Sequence, residues 1–334
     1  MADERVARSG HFQVLELGTD GRFIDQYRDR TPVSWPSLSS FLDQAIVIPP
    51  DVTDIFVWVH GWRNEKIMKA ADLADQVFRR AEQLYQAQPE CYPGLRRFTA
   101  AYILVNWPSW SSPTYWGYAR IRERAHAMTE QGHASRVLAF LLGYLDQRRG
   151  GAAGPGVLRM PSGQYLHCVG HSFGGRFLAQ AVIDAANPAT AMLPLLPPNA
   201  QYRFTVDNLL IFQMAAPPNI FADRFRPLLE NAPLQGPVCL TFSRHDQATG
   251  LLHAIAEHQR GIGYIGAREP IQMIKTTALR SAAEPYTVRE LQSPIVNLDA
   301  TWRYRRRWPP SGAHSDIGYA ESAHLLLSLV NFAR

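Results

Sequence analysis

The chain has 334 residues, 46% of them hydrophobic, and 34 Lys and Arg against 29 Asp and Glu leave a net charge of +5. This length and apolar content fit one α/β domain over residues 1–334. No apolar run reaches the roughly eighteen residues of a membrane-spanning helix, and the modest charge excess lacks the interleaved aromatics of a nucleic-acid-binding surface.

Residues 1–8 mix charges and are not followed by an apolar stretch, so no secretory signal is read; a cytoplasmic protein is expected, with export by a signal-independent route left open. Residues 12–17, the turn Gly18-Thr19-Asp20-Gly21 and residues 22–25 predict an antiparallel hairpin at a sheet edge. Apolar runs at 55–59, 101–105, 165–169, 209–213, 238–242 and 295–298 then alternate with helical periodicity at 65–86, 121–147, 173–186, 248–259 and 315–332. This rhythm predicts a mostly parallel central sheet with helices on both faces. Within 121–147, Val137, Leu138, Leu141, Leu142 and Leu145 recur at helical spacing and form a face that packs on the sheet. Two stretches interrupt the rhythm. Residues 188–198 contain Pro188, Pro194, Pro197 and Pro198 and cannot be regular helix, because proline lacks the N–H and clashes with the preceding turn. Residues 261–294, before the last strand, are long enough to hold small elements of their own and are the candidate lid-like insertion. Cys91, Cys168 and Cys239 are odd in number and widely spaced, which suits reduced core residues better than disulfide or metal partners.

The chemistry concentrates after the 165–169 strand, where Gly170-His171-Ser172-Phe173-Gly174 leads into a helix. Strand, Gly-x-Ser-x-Gly and helix form the context of a nucleophile elbow, a strained turn that presents a serine hydroxyl, with glycines where a Cβ would clash. The hydroxyl needs a base to take its proton, and in this chain order a carboxylate and then a histidine follow. Among eleven histidines, His314 lies in the small-residue turn Ser311-Gly312-Ala313-His314-Ser315-Asp316, from which its imidazole can swing back over the strand ends. His324, mid-helix, is the runner-up. His167 and His171 read as strand and elbow filler, and His253 and His258 share no helical face. Asp246, just past the 238–242 strand, is the candidate acid, with Asp299 and Asp223 as alternatives; Asp316 reads as a cap of the last helix. Two amides suit an oxyanion hole, that of Phe173 after the nucleophile and that of Trp62 in His60-Gly61-Trp62.

Val59-His60-Gly61-Trp62-Arg63-Asn64, Asn106-Trp107-Pro108-Ser109, Gly170-His171-Ser172-Phe173-Gly174 and Ser243-Arg244-His245-Asp246, in this order, resemble the α/β-hydrolase superfamily, and within it a group of bacterial serine-esterase-like proteins. The resemblance covers about residues 55–256, and the 312–317 turn is similar to the catalytic-histidine turn of lipase-like hydrolases, some of which are phospholipase effectors. It implies the α/β-hydrolase fold, a triad of Ser172, Asp246 and His314, and no metal or organic cofactor.

The loop 107–118 holds three Trp and two Tyr in twelve residues at the elbow end of the sheet. Trp107, Trp110, Tyr115 and Trp116 are expected to wall an acyl pocket; a packed surface loop and membrane-surface contact are the other readings. Arg303, Arg305, Arg306 and Arg307 precede His314 and read either as a solvated face or as an attractor of anionic substrates or phospholipid head groups. The expected activity is hydrolysis of a small-molecule or lipid carboxylic ester through an acyl-enzyme, with no nucleic-acid partner. A phospholipase-type lipid hydrolase and a non-catalytic ligand-binding protein of the same fold are the alternatives. Serine rather than aspartate at the elbow disfavours epoxide or haloalkane hydrolysis.

Overall fold

Short, nearly continuous apolar runs build the centre of one sheet. The computed structural model describes residues 8–9, 11–62, 67–112, 114–149, 164–187, 204–230, 234–306 and 311–334. Its strands are β1 (Arg8–Ser9), β2 (Phe12–Glu16), β3 (Asp54–Val59), β4 (Ala100–Asn106), β5 (Tyr165–His171), β6 (Asn208–Phe212), β7 (Val238–Phe242), β8 (Ile274–Ala278) and β9 (Ile295–Asp299). They form one sheet in the order β1-β2-β4-β3-β5-β6-β7-β9-β8. The strands β2 to β9 run parallel, and β1 pairs antiparallel with β2 over two residues.

Parallel strands covered on both faces read as nearly continuous apolar runs, because each face needs its own set of buried side chains. In β3, Ile55, Val57 and Val59 enter one core with the helices Leu38–Ala45, Tyr115–His126, Ala134–Arg149 and Phe173–Ala186, whereas Phe56 and Trp58 enter a second core with Ile67–Ala87 and Ala320–Phe332. In β6, Leu209 and Ile211 face the first core and Leu210 and Phe212 the second. Cys168 and Cys239 are buried in β5 and β7, Cys91 is half-buried, and none is in a disulfide. Among the described residues no helix is long and apolar enough to cross a membrane.

All six expected strands are present, but the expected hairpin is not. The segment Phe12–Glu16 pairs in parallel with β4, and the chain beyond the Gly18-Gly21 turn returns only through single antiparallel bridges, Leu17 with Phe23 and Ile24 with Pro32. The reason is burial: Phe12, Val14 and Leu15 are apolar on both faces and gain most by extending the two-sided sheet, while residues 22–25 offer Phe23 alone to the core. The helix expected at 121–147 is divided into Tyr115–His126, a π-helical turn at Ala127–Gln131, and Ala134–Arg149. The break falls at Gly132, where the Asp20 turn docks: a Cβ on Gly132 would lie 2.7 Å from the Asp20 carbonyl, which accepts the His133 amide at 3.0 Å. The 261–294 stretch contains the helices Ile262–Ile265 and Val288–Leu291 and the edge strand β8. The stretch 188–198, Arg63, Asn64 and Arg307 lie outside the described residues.

The helix Ala134–Arg149 ends in a buried charge cluster. The Arg149 guanidinium, 1% exposed, contacts Asp146 at 2.8 Å and pairs with Asp207, which also accepts the Leu166 amide of β5 at 2.8 Å. Arg149→Ala leaves two buried carboxylates without their counter-charge and is expected to cost about 3–5 kcal/mol of stability. Equilibrium urea denaturation measures this; a loss below about 1 kcal/mol, the level of a surface pair, would mean that the cluster is hydrated.

Candidate active site

Ser172 stands between β5 and the helix Phe173–Ala186 with φ 57° and ψ −122°, a conformation rare for a residue with a Cβ. The turn can be this tight because the helix start is pressed onto β3: a Cβ on Gly174 would lie 2.0 Å from the Val59 carbonyl oxygen. The Ser172 amide donates to the Phe212 carbonyl at the end of β6 at 2.9 Å, which ties the turn to the neighbouring strand.

The Ser172 Oγ lies 2.7 Å from His314 Nε2, and His314 Nδ1 lies 2.9 Å from Asp246 Oδ2. The three residues come from three separate strand ends, and all are buried. Asp246 is held from two further sides, with Oδ1 accepting the Thr249 amide at 2.9 Å and Oδ2 the Gln213 side-chain amide at 3.2 Å. Gln213 follows β6 with φ 48°, and Thr241 Oγ1 accepts its backbone amide at 3.2 Å. The His314 turn is sewn to the Asp246 loop by an antiparallel bridge between Asp246 and Gly312, and the Ala313 amide donates to the His245 carbonyl at 2.9 Å. A serine hydroxyl, a histidine with one nitrogen facing it and a carboxylate facing the other nitrogen form a path along which a proton can leave the serine oxygen.

The loop after β3 closes against this path. A Cβ on Gly61 would lie 2.7 Å from the Ser172 Cβ, so the Gly61 backbone runs directly beside Ser172. His60 Nδ1 lies 2.8 Å from the Gly61 carbonyl oxygen, and Nε2 lies 2.9 Å from Asn106 Oδ1 and 3.2 Å from the Trp107 amide. In a planar trans peptide the N–H points opposite to the C=O, so fixing the Gly61 carbonyl also fixes the direction of the Trp62 N–H. Phe173 is the first residue of its helix, and its amide has no carbonyl one turn back to donate to. The Trp62 indole donates to Ser111 Oγ at 2.5 Å, and its ring meets Tyr118, which also packs against Phe173.

The remaining sequence candidates take other places. Trp107 is core, with its indole bonded to the His60 carbonyl at 2.7 Å and its ring against Phe177. Trp110 and Trp116 are 54% and 78% exposed, and half-buried Tyr115 packs on Trp116. Among the alternatives, His324 is buried between the Tyr92 hydroxyl and the Glu284 carbonyl, Asp299 accepts the Thr301 amide, and Asp223 is exposed. Asp316 does not cap the last helix; its Oδ2 accepts the amides of Arg305 and Arg306 at 2.9 and 3.1 Å, because the helix starts later than expected, at Ala320. Arg303 pairs with Glu321 and stacks on Tyr319, whereas Arg305 and Arg306 are exposed. Among the described residues no group of three or more His, Cys, Asp or Glu could hold a metal ion. Gln213 is not singled out by the sequence, His171 reads as elbow filler, and His60 and Tyr118 read only as parts of the oxyanion segment and the aromatic loop: each contacts the site through a strand end or loop whose neighbours the chain order does not reveal.

Three histidines around the site are held neutral. Burial lowers His60 to about 4 and His171 to about 3; His253, bonded through Nδ1 to the Tyr118 hydroxyl, is lowered to about 3 by burial and then by Arg176 and Arg122. A free histidine titrates near 6.5, so below that pH the unfolded chain takes up protons that the folded protein refuses. Stability should therefore fall as pH drops from 6.5 toward 4, by about 1.4 kcal/mol per pH unit for each histidine once well below 6.5. Urea denaturation at pH 7.5, 6.5 and 5.5 checks this; a stability unchanged across the series would show that these imidazoles protonate in the fold.

Compared with known proteins, the chain has no significant match to any family model, curated protein or solved structure.

Proposed function

We propose that the protein is a serine hydrolase of the α/β-hydrolase superfamily that cleaves a carboxylic ester through an acyl-enzyme at Ser172. The observation that carries this reading is the unbroken hydrogen-bonded path from Ser172 Oγ through His314 to Asp246, set on a strained strand-to-helix turn. In the first half-reaction Ser172 Oγ attacks the acyl carbon, its proton passes to His314 Nε2, and the same proton then leaves with the alcohol as the ester C–O bond breaks. Asp246 holds the Nδ1–H and stabilises the imidazolium that forms. The amides of Phe173 and Trp62 receive the negative charge on the carbonyl oxygen. Water then repeats the sequence on the acyl-enzyme and releases the acid.

A ligand-binding protein without turnover gains nothing from such a proton path, and the carboxylate held by three donors has no role there. A lipid ester is the second reading, favoured by the exposure of Trp110 and Trp116 on the loop after β4.

The direct test is intact-mass detection of a fluorophosphonate adduct on the wild type and its absence in Ser172→Ala. Ser172→Ala, His314→Ala and Asp246→Asn are each expected to lower kcat on a p-nitrophenyl ester by about a thousandfold or more, with the His314→Ala, Asp246→Asn double variant little worse than His314→Ala, because residues acting as a unit are not additive. Retention of a tenth of the rate by Ser172→Ala would reject the nucleophile.

Replacing Trp110 and Trp116 by alanine probes the acyl wall. Each methylene buried against them is worth about 0.8 kcal/mol, so kcat/KM should fall for an octanoate ester and stay nearly constant for acetate. An equal loss on both would make the loop purely structural.

A further inference from the structure

His171, the variable residue inside Gly-x-Ser-x-Gly, is fully buried and takes no part in the proton path described above. Its Nε2 lies 2.8 Å from the backbone carbonyl of His314. A carbonyl can only accept, so Nε2 carries the hydrogen and Nδ1 is bare; Nδ1 has no hydrogen-bond partner among the described residues. The ring is wedged in place, since a Cβ on Gly61 would lie 2.8 Å from Nδ1, and its centroid is 4.9 Å from that of His314.

The tethers of the His314 turn give this bond its significance. The Asp246–Gly312 bridge, the Ala313 amide to the His245 carbonyl, and the Gln247 amide to the Ser311 carbonyl all join the turn to the acid's loop. None of those bonds fixes the two loops relative to β5. Two bonds run from His314 to the nucleophile's own turn: Nε2 with the Ser172 hydroxyl, and the carbonyl with His171.

We propose that His171 is a positioning residue that holds the His314 backbone over the nucleophile during deacylation, when the hydroxyl bond no longer exists. The inference rests on the acyl-enzyme reading. Once acylated, Ser172 Oγ is an ester oxygen without a hydrogen, and His314 Nε2 must instead take a proton from water. That water's oxygen bonds to the acyl carbon, the bond from this carbon to Ser172 Oγ breaks, and Nε2 returns the proton to Oγ. Through these steps the His171 bond is the remaining hydrogen bond between His314 and the elbow among the described residues. Burial keeps His171 neutral, so its Nε2–H persists while His314 cycles through its cationic form.

The experiment compares wild type with His171→Met, which fills similar space without a donor, and His171→Gln, whose side-chain amide can reach the same carbonyl. Rapid mixing with a p-nitrophenyl ester separates the acylation burst from steady-state deacylation, and the rate of fluorophosphonate labelling reports attack by Ser172 alone. His171→Met is expected to slow deacylation about tenfold or more while labelling changes less than about threefold, so that a burst near one product per enzyme appears. His171→Gln is expected to restore the wild-type ratio of the two steps. Thermal melts establish that each variant is folded; if the Met variant does not fold, the Gln variant decides alone, and slowed deacylation there overturns the proposal. Equal slowing of both steps in His171→Met, or no change in either, also overturns it. A wild type that fluorophosphonate fails to label rejects the hydrolase reading itself, an outcome separate from any change in the ratio.

Discussion

A serine with a Cβ is held at φ 57° between β5 and its helix, and such a conformation costs on the order of 1–3 kcal/mol and persists only where its surroundings leave no alternative. Here they leave little freedom. The Val59 carbonyl touches the helix at Gly174 from β3 on one side, and the Phe212 carbonyl receives the Ser172 amide from β6 on the other. The order β3-β5-β6 places the turn between two strands of a sheet buried on both faces, so relaxing it would disturb both cores. The strain is thus carried by the hydrophobic packing of the whole sheet, and the hydroxyl is directed by the fold instead of by its own rotamer preference alone.

The second constraint is that the site is buried, and a buried polar group must find a partner or remain neutral. Asp246 meets this with donors from Thr249, Gln213 and His314. His60 and His171 meet it as neutral rings, each facing one backbone carbonyl at 2.8 Å, that of Gly61 or that of His314. These two imidazoles contact the backbone of the two loops that lie beside Ser172. Within the proposed mechanism this concentrates the developing positive charge on His314, where Asp246 is already oriented to receive it.

Some of this was legible in the chain and some was not, for reasons that differ by element. The six apolar strands could be read because each carries large apolar residues on both faces. The strand β8, Ile274–Ala278, could not: its Lys275, Thr276 and Thr277 lie on a half-exposed sheet edge, where little apolar surface is required. The run Phe12–Glu16 reads correctly as a strand, but its parallel pairing with β4 depends on a segment about ninety residues away, and periodicity says nothing about partners. Asp316 stands where a helix cap is expected yet binds the amides of Arg305 and Arg306, because the backbone at 305 and 306 lies against it.

By itself the sequence determined a parallel α/β sheet, through continuous apolar runs that demand two cores, and a strand-Gly-x-Ser-x-Gly-helix turn, through glycines at points of close approach. Both are local matters, settled by neighbouring residues. Tertiary structure alone decided that His314, 142 positions after Ser172 and 68 after Asp246, meets both of them within hydrogen-bond distance. It also decided that His171 reaches the His314 carbonyl and that Gln213 reaches the Asp246 carboxylate. Those meetings depend on strand order and on which loops share one end of the sheet. Chain spacing does not encode them, because the contacts form only when separate strands are laid side by side and their burial is satisfied together.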